Sequence, residues 1–287
     1  MVVGIVSAGH MGSGLGWALR EGGARVVTTV DGRSARTARF AATAGLEVLP
    51  GLPDVLREAT VLLVVTPPGA ARAAATRIAA AAGEDARPLV ADLNAIAPST
   101  VDEVARTYQG AGLDYVDGSI SGAPPNVRPG ARLYFSGPRA SEVAALPWRQ
   151  VQPIVLPGPV DRASALKMCT ASVYKGLEGL ALQAMRAAAH YGVLDDVVAD
   201  LRIAGYDRTA SLAITATKAH RFVPEMREIA AAQAGAGLTA ALFEAFAEVY
   251  AEIATSRLGQ EDPESVDRTL SPAEVVDGIT PRDRAGT

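Results

Sequence analysis

Ser7-Ala8-Gly9-His10-Met11-Gly12 lies between an apolar run, residues 1–6, and a helix-compatible run, residues 13–19. Strand, small-residue turn and helix form the context in which a glycine pattern becomes a dinucleotide-binding fingerprint. Small residues let the backbone approach a pyrophosphate, and the first N–H groups of the helix, at its positive dipole end, receive the anion. The first position of G-x-G-x-x-G is Ser7, which makes a tight turn less freely than glycine. Ser7, Gly9, His10, Met11 and Gly12 are the first candidate cofactor contacts; the bland alternative is a tight turn and nothing more.

Working outward, short β-branched runs alternate with alanine-rich helical segments. Strands are expected at 2–6, 25–30, 61–65, 89–92, 113–117, 133–136 and 152–156, and helices at 13–19, 34–44, 70–82 and 100–108. That alternation predicts a Rossmann-type α/β domain over residues 1–160, a parallel sheet with helices on both faces. The pattern changes near Pro159. Residues 164–192 read as one long helix, followed by helices at 195–204, 208–220, 224–234 and 238–258, so residues 161–287 form an all-α domain. Ser271-Pro272-Ala273-Glu274 can start one short helix, and the chain end is expected to be loose.

The bulk numbers narrow the partners. Of 287 residues, 49% are hydrophobic and 20% charged, enough to bury a full core, and the net charge of −4 (27 basic, 31 acidic) comes with no basic block. Nucleic acid is therefore not an expected partner. Cys169 is the only cysteine, so no internal disulfide forms, and it is expected to pack inertly. His10, His190 and His220 lie far apart without metal-ligand spacing, so no metal is expected. The first apolar run is too short for a membrane span and lacks the basic start of an export signal; a cytoplasmic protein is expected.

The second strand leads into Asp31-Gly32-Arg33-Ser34. An acidic residue at this distance from the glycine turn accepts the ribose hydroxyls of NAD. A guanidinium and a hydroxyl suit the 2′-phosphate of NADP instead, and Asp31 can point away or hold Arg33 in place. The charges favour NADP over NAD. Arg36 can add charge, or lie with Arg39 on a solvated helix face. Thr66-Pro67-Pro68-Gly69 stiffens the next strand end, although proline ends strands in any case. Asn94, in Asp92-Leu93-Asn94-Ala95-Ile96-Ala97-Pro98, is a small polar group at a strand end where nicotinamide or substrate can meet it; Asp92 reads as a turn anchor.

Ser119-Ile120-Ser121-Gly122-Ala123 offers hydroxyl and backbone donors for a carboxylate, or is a serine-rich turn. Lys167 opens the long helix. A lysine there can protonate a carbonyl oxygen as hydride reaches carbon, if an ammonium of about 10.4 in water is brought toward neutrality by desolvation or a nearby positive charge. Spacing alone favours a surface lysine.

These segments resemble the β-hydroxyacid dehydrogenase and 6-phosphogluconate dehydrogenase superfamily over the whole chain. Its GLGxMG-type turn is matched by Ser7 to Gly12, its D-x-S-T-x-x-P segment by Asp92 to Pro98, and its substrate loop D-x-x-x-S-G-G by Asp117 to Ala123. Of its G-x-G-x-x-x-K-x-x-x-N helix start, the lysine is kept as Lys167 and the asparagine is replaced by Ala171. Lys218-Ala219-His220-Arg221-Phe222-Val223-Pro224-Glu225-Met226-Arg227-Glu228-Ile229 resembles a phosphogluconate-dehydrogenase-like helical domain. The resemblance implies Lys167 as acid and base, Ser121 and Gly122 at the substrate's polar end, Asn94 in place of an orienting serine, and His220 or Arg221 reaching substrate; Ser119 is a substrate candidate by its own place in the loop. It also implies a homodimer formed through the helical domain. Pro224 is itself a good first-turn residue for the helix expected at 224–234. Lys175 can share the polar face of Lys167 or be an exposed charge. The expected activity is NADP(H)-dependent hydride transfer to or from a small carbonyl or hydroxy compound bearing a carboxylate. The alternatives are an imine reductase, whose members usually place aspartate or tyrosine where Lys167 stands, and a non-catalytic nucleotide-binding protein.

Overall fold

A computed structural model describes residues 1–83 and 86–281, and the chain divides into two compact units, Met1–Met168 and Cys169–Thr287. The division falls inside one helix, eight residues beyond the boundary read from the sequence (168 − 160).

The first unit is built on eight strands, β1 (Val2–Val6), β2 (Arg25–Thr28), β3 (Glu47–Val48), β4 (Val61–Val64), β5 (Leu89–Asp92), β6 (Tyr115–Ser121), β7 (Ala131–Ser136) and β8 (Val151–Val155), in the order β3-β2-β1-β4-β5-β6-β7-β8. The connecting helices are α1 (His10–Glu21), α2 (Ala35–Thr43), α3 (Leu52–Glu58), α4 (Ala71–Ala81), α5 (Pro98–Gly110) and α6 (Ala140–Ala144). Side chains of a covered strand alternate between two cores. Val61 and Leu63 of β4 enter one core with Val3, Ile5, Leu15 and Leu19. Leu62 and Val64 enter the other with Val55, Ile78, Val101 and Tyr108. Each such buried leucine or valine contributes roughly 2 kcal/mol.

The sheet is not wholly parallel. β7 runs antiparallel to β6. Only residues 122–130 join them, fewer than the dozen or more that a parallel crossover needs. The two-residue β3, and the short α3 and α6, carry too few residues to show a period, and the sequence reading passes over them.

Helix α7 (Arg162–His190) starts in the first unit. The second unit holds the rest of it with α8 (Leu194–Ile203), α9 (Thr209–Ala216), α10 (Ala219–Gly235), α11 (Ala241–Ala254) and α12 (Pro272–Ile279), and no strand among the described residues. Residues 208–220 are not one helix. The Thr217 hydroxyl donates back to the Ile214 carbonyl, the Lys218 N–H to Thr215, and the chain restarts at Ala219. Pro224 therefore sits inside α10 rather than in its first turn. α12 starts as expected, Ser271 and Glu274 capping each other's backbone N–H groups; the residues beyond 281 lie outside the described ones. Lys175 is paired with Glu225 and lies 4.5 Å from the centre of the Phe222 ring. Burial pulls its ammonium down and Glu225 opposes that. Cys169 is exposed, not packed. No described helix is long and apolar enough to cross a membrane.

Candidate active site

The register puts the strand ends side by side, Val6 against Val64, Val64 against Asp92, and Asp92 against Asp117. Ser7, Thr66 and Asn94 therefore follow neighbouring strands at one edge, and β6 runs on past them to Ser121.

At the first turn, Ser7 holds φ 73°, a conformation that costs a non-glycine residue roughly 1 kcal/mol or more. A Cβ on Gly12 would collide with the Ser7 carbonyl oxygen, so the turn is closed by close backbone approach. Gly9 caps α1 without a side-chain bond and has open space where a Cβ would stand. A helix start without a side-chain cap and with room above it fits a pyrophosphate. His10 stacks on Phe40 at 5.1 Å, and Met11 packs on the core.

Beside the turn, a cavity of about 230 Å³ is lined by Ile5, Val6, Ser7, Thr29, Asp31, Arg33, Leu52, Val55 and Arg77. Arg33 Nη2 donates to Ser7 Oγ at 2.9 Å, so the residue that breaks the glycine pattern holds the arginine. Ser34 is the N-cap of α2, accepting the Thr37 N–H. Arg36 lies over the Phe40 ring. Pro68 begins a 3₁₀ turn that leads into α4, and Pro67 before it is exposed.

At the β5 end Asn94 is 2% exposed. Its Oδ1 accepts the Thr66 N–H at 2.6 Å, while its Nδ2 and the Thr66 hydroxyl, both buried, have no partner among the described residues. Asp92 Oδ1 accepts the Asn94 N–H at 2.9 Å and anchors the turn. Burial pushes the Asp92 carboxyl up to about 7, the Asn94 bond opposing.

At the β6 end a set of polar groups grips the start of α7. Asp117 accepts the Ser164 N–H at 2.8 Å and the Ser164 hydroxyl at 2.7 Å. Ser136 accepts the Ala163 N–H at 2.8 Å and donates to the Val160 carbonyl, and Ser119, 1% exposed, donates to the Ala163 carbonyl at 2.9 Å. The Ser119 hydroxyl is thus used inside the fold. Burial pushes Asp117 up to about 8, against the pull of the two Ser164 bonds. One turn on, Lys167 Nζ donates to the Ile120 carbonyl at 2.8 Å, between Ser119 and Ser121. Ser121 is half-buried, and its hydroxyl has no partner among the described residues. Gly122, at φ 138°, lies against the Ala131 backbone, where a Cβ would come within 2.9 Å.

The structure thus brings Ser7, Gly9, Gly12, Thr66, Asn94, Ser121 and Lys167 to one edge of one unit, with Asp31 and Arg33 beside the turn. His220 belongs to the other unit, exposed in the first turn of α10. Sequence reasoning missed Arg77 and the Asp117–Ser136–Ser164 grip. The signal for Arg77 was its place beside the α4 stripe of Ala71, Ala74, Ala75 and Ile78, on the helix after the Thr66 loop. Among the described residues no group of acidic, histidine or cysteine side chains can hold a metal.

Comparison with known proteins follows this geometry. Residues 2–150 match the family model described as the NAD binding domain of 6-phosphogluconate dehydrogenase. Residues 188–253 match a domain of unknown function. No curated protein sequence matches the chain. Among solved structures, the conserved protein MTH1747, of unknown function and described as similar to 3-hydroxyacid dehydrogenases, is 26% identical over 88% of this chain and 97% of its own, with a TM-score of 0.64. Mycobacterium tuberculosis 3-hydroxyisobutyrate dehydrogenase with L-serine is 21% identical over 96% of this chain and 97% of its own, with a TM-score of 0.62. An imine reductase from Myxococcus stipitatus in complex with NADP+ is 16% identical over 88% of this chain and 93% of its own, with a TM-score of 0.52. The last two likenesses are likenesses of fold.

Proposed function

The chain belongs to the family defined by the NAD binding domain of 6-phosphogluconate dehydrogenase, and as an NAD(P)-dependent oxidoreductase of that family we propose that it transfers hydride between NADP(H) and a small carbonyl or hydroxy acid, with Lys167 as general acid and base. The observation that carries this reading is the Lys167 ammonium, 2.8 Å from the Ile120 carbonyl at the end of the substrate-loop strand. When bound, the nicotinamide supplies or accepts the hydride. Lys167 gives its proton to the carbonyl oxygen in reduction and takes the hydroxyl proton in oxidation. The Ser121 hydroxyl and the backbone at Gly122 hold the substrate's carboxylate, and Asn94 Nδ2 donates to nicotinamide or substrate. Gly9, Gly12 and the start of α1 take the pyrophosphate.

NADP over NAD is supported by Arg33, whose guanidinium is held by Ser7 rather than spent on Asp31. A carbonyl rather than an imine substrate is supported by a lysine at the acid position. Dimerisation through the helical unit is supported by surface composition: nine of the thirteen large apolar side chains exposed among the described residues lie there, including Val173, Tyr174 and Leu180 of α7. Light scattering on the eluting protein tests that, with twice the chain mass expected.

The activity is tested by following NADPH oxidation with a panel of small oxo acids and cyclic imines. Oxo acids are expected to turn over. Lys167→Ala is expected to lower turnover about 10²- to 10⁴-fold while NADPH affinity stays within about twofold. Equal turnover by the variant removes Lys167 from the chemistry.

A further inference from the structure

Helix α4 carries two arginines near the sheet edge, and they are used differently. Arg72 is spent on its neighbours, Nε donating to Glu103 at 2.5 Å and Nη2 to the Thr100 hydroxyl at 2.9 Å. Arg77 has no hydrogen bond or ion pair among the described residues, and it lines the cavity beside Ser7, Asp31 and Arg33. The cavity is chemically divided. Leu52, Val55, Ile5 and Val6 give it an apolar side that suits a purine ring. Its polar side carries two guanidiniums against one carboxylate, Asp31, and Arg33 is committed to the neutral Ser7 hydroxyl. Two cations and one anion around a space of about 230 Å³ leave a net positive charge among the described residues that line it. A ribose diol does not balance that charge; a phosphate monoester, at about −1.5 to −2, does.

We infer that Arg77 is a second specificity residue, a guanidinium that reaches from α4 into the adenosine cavity to take the ribose 2′-phosphate opposite Arg33. The inference rests on the NADP(H) reading and adds to it a residue from a different element than the loop after β2. It also explains why Asp31 is compatible with a phosphorylated ribose: two guanidiniums offset one carboxylate, where Arg33 alone would only cancel it.

The probes are 2′,5′-ADP and 5′-AMP, titrated calorimetrically into the full chain. They share the adenosine and the 5′-phosphate and differ in the 2′-phosphate. The wild-type protein is expected to bind 2′,5′-ADP more tightly. Arg77→Ala is expected to weaken 2′,5′-ADP at least tenfold and 5′-AMP less than twofold. Arg72→Ala, on the same helix, is expected to change neither, and the melting curve of each variant reports its folding. An equal loss for both probes makes Arg77 a base or helix contact and overturns the inference, as does no loss for either. A wild-type protein without preference between the probes overturns the NADP reading itself, and the inference with it. A preference that Arg33→Ala abolishes and Arg77→Ala leaves intact overturns the inference alone.

Discussion

Asp92 and Asp117 are paired in register on adjacent strands, both fully buried, yet their surroundings differ. Asp117 has both oxygens in use, on the N–H and the hydroxyl of Ser164. Asp92 uses one oxygen, and among the described residues its Oδ2, the Nδ2 of Asn94 and the hydroxyl of Thr66 have no partner. A buried polar atom left alone costs about 1–3 kcal/mol, so a fold does not collect several without something to satisfy them. The β6 end is a finished joint, built to hold a helix. The β5 end is an open one, completed by water or by a ligand's polar groups. We propose that the same residue type at neighbouring strand ends serves scaffold in one case and site in the other, on the ground that their partner counts differ.

The largest effect should fall on the finished joint. Asp117→Ala leaves the Ser164 N–H and hydroxyl without acceptors, and we expect a loss of about 3 kcal/mol in denaturant unfolding, with an unchanged m value. Turnover should fall as well, because Ser164 lies three residues before Lys167 on the same helix. Asp117→Asn keeps one acceptor and should lose less. Melting of Asp117→Ala at the wild-type midpoint would mean that packing alone holds the start of α7.

The open joint should appear in the pH dependence. Asp92 and Asp117 titrate near 7 and 8 in the fold, against 3.8 for the free side chain. Between those values the folded state holds more protons than the unfolded one, so stability falls as pH rises toward about 8 and levels off above it. Carboxylates held low by arginines, Glu47, Glu103 and Glu142, titrate beneath 4.5 and act below this window. Asp92→Asn, which keeps the acceptor for the Asn94 N–H, is expected to flatten the decline in melting temperature from about pH 5 to pH 8. An unaltered slope would place the Asp92 carboxyl in contact with water.

The sheet was legible because a strand covered on both faces is a continuous apolar run, as Val61 to Val64 are. β3 was not, since its two residues, Glu47 and Val48, are both exposed. The break before α10 was hidden for a different reason. Pro224 looks like a start, but Thr217 and Lys218 end the preceding helix through bonds to Ile214 and Thr215 that no composition rule marks. At the candidate site, Ser7 to Gly12 and Lys167 could be singled out because a turn and a helix start are local features of the sequence. The grip of Asp117 and Ser119 on α7 could not, because its partners are 47 and 44 residues away. Arg77 reads as a surface charge until the cavity beside it is seen.

The smallest effect on stability should come at Asn94, and it discriminates best between the two joints. Asn94→Ser removes the acceptor of the Thr66 N–H, a bond of 2.6 Å, and is expected to cost about 1 kcal/mol in the unliganded protein. If the β5 end were as complete as the β6 end, the cost would be the same with saturating NADPH. If the unpartnered Nδ2 is the group that meets the nicotinamide, the variant also loses a contact made only in the complex. NADPH would then raise the variant's melting temperature less than the wild type's, because ligand stabilisation scales with the logarithm of affinity. We expect the smaller rise. An identical rise in both proteins would assign the Nδ2 to a buried water and leave the β5 end a structural joint like its neighbour.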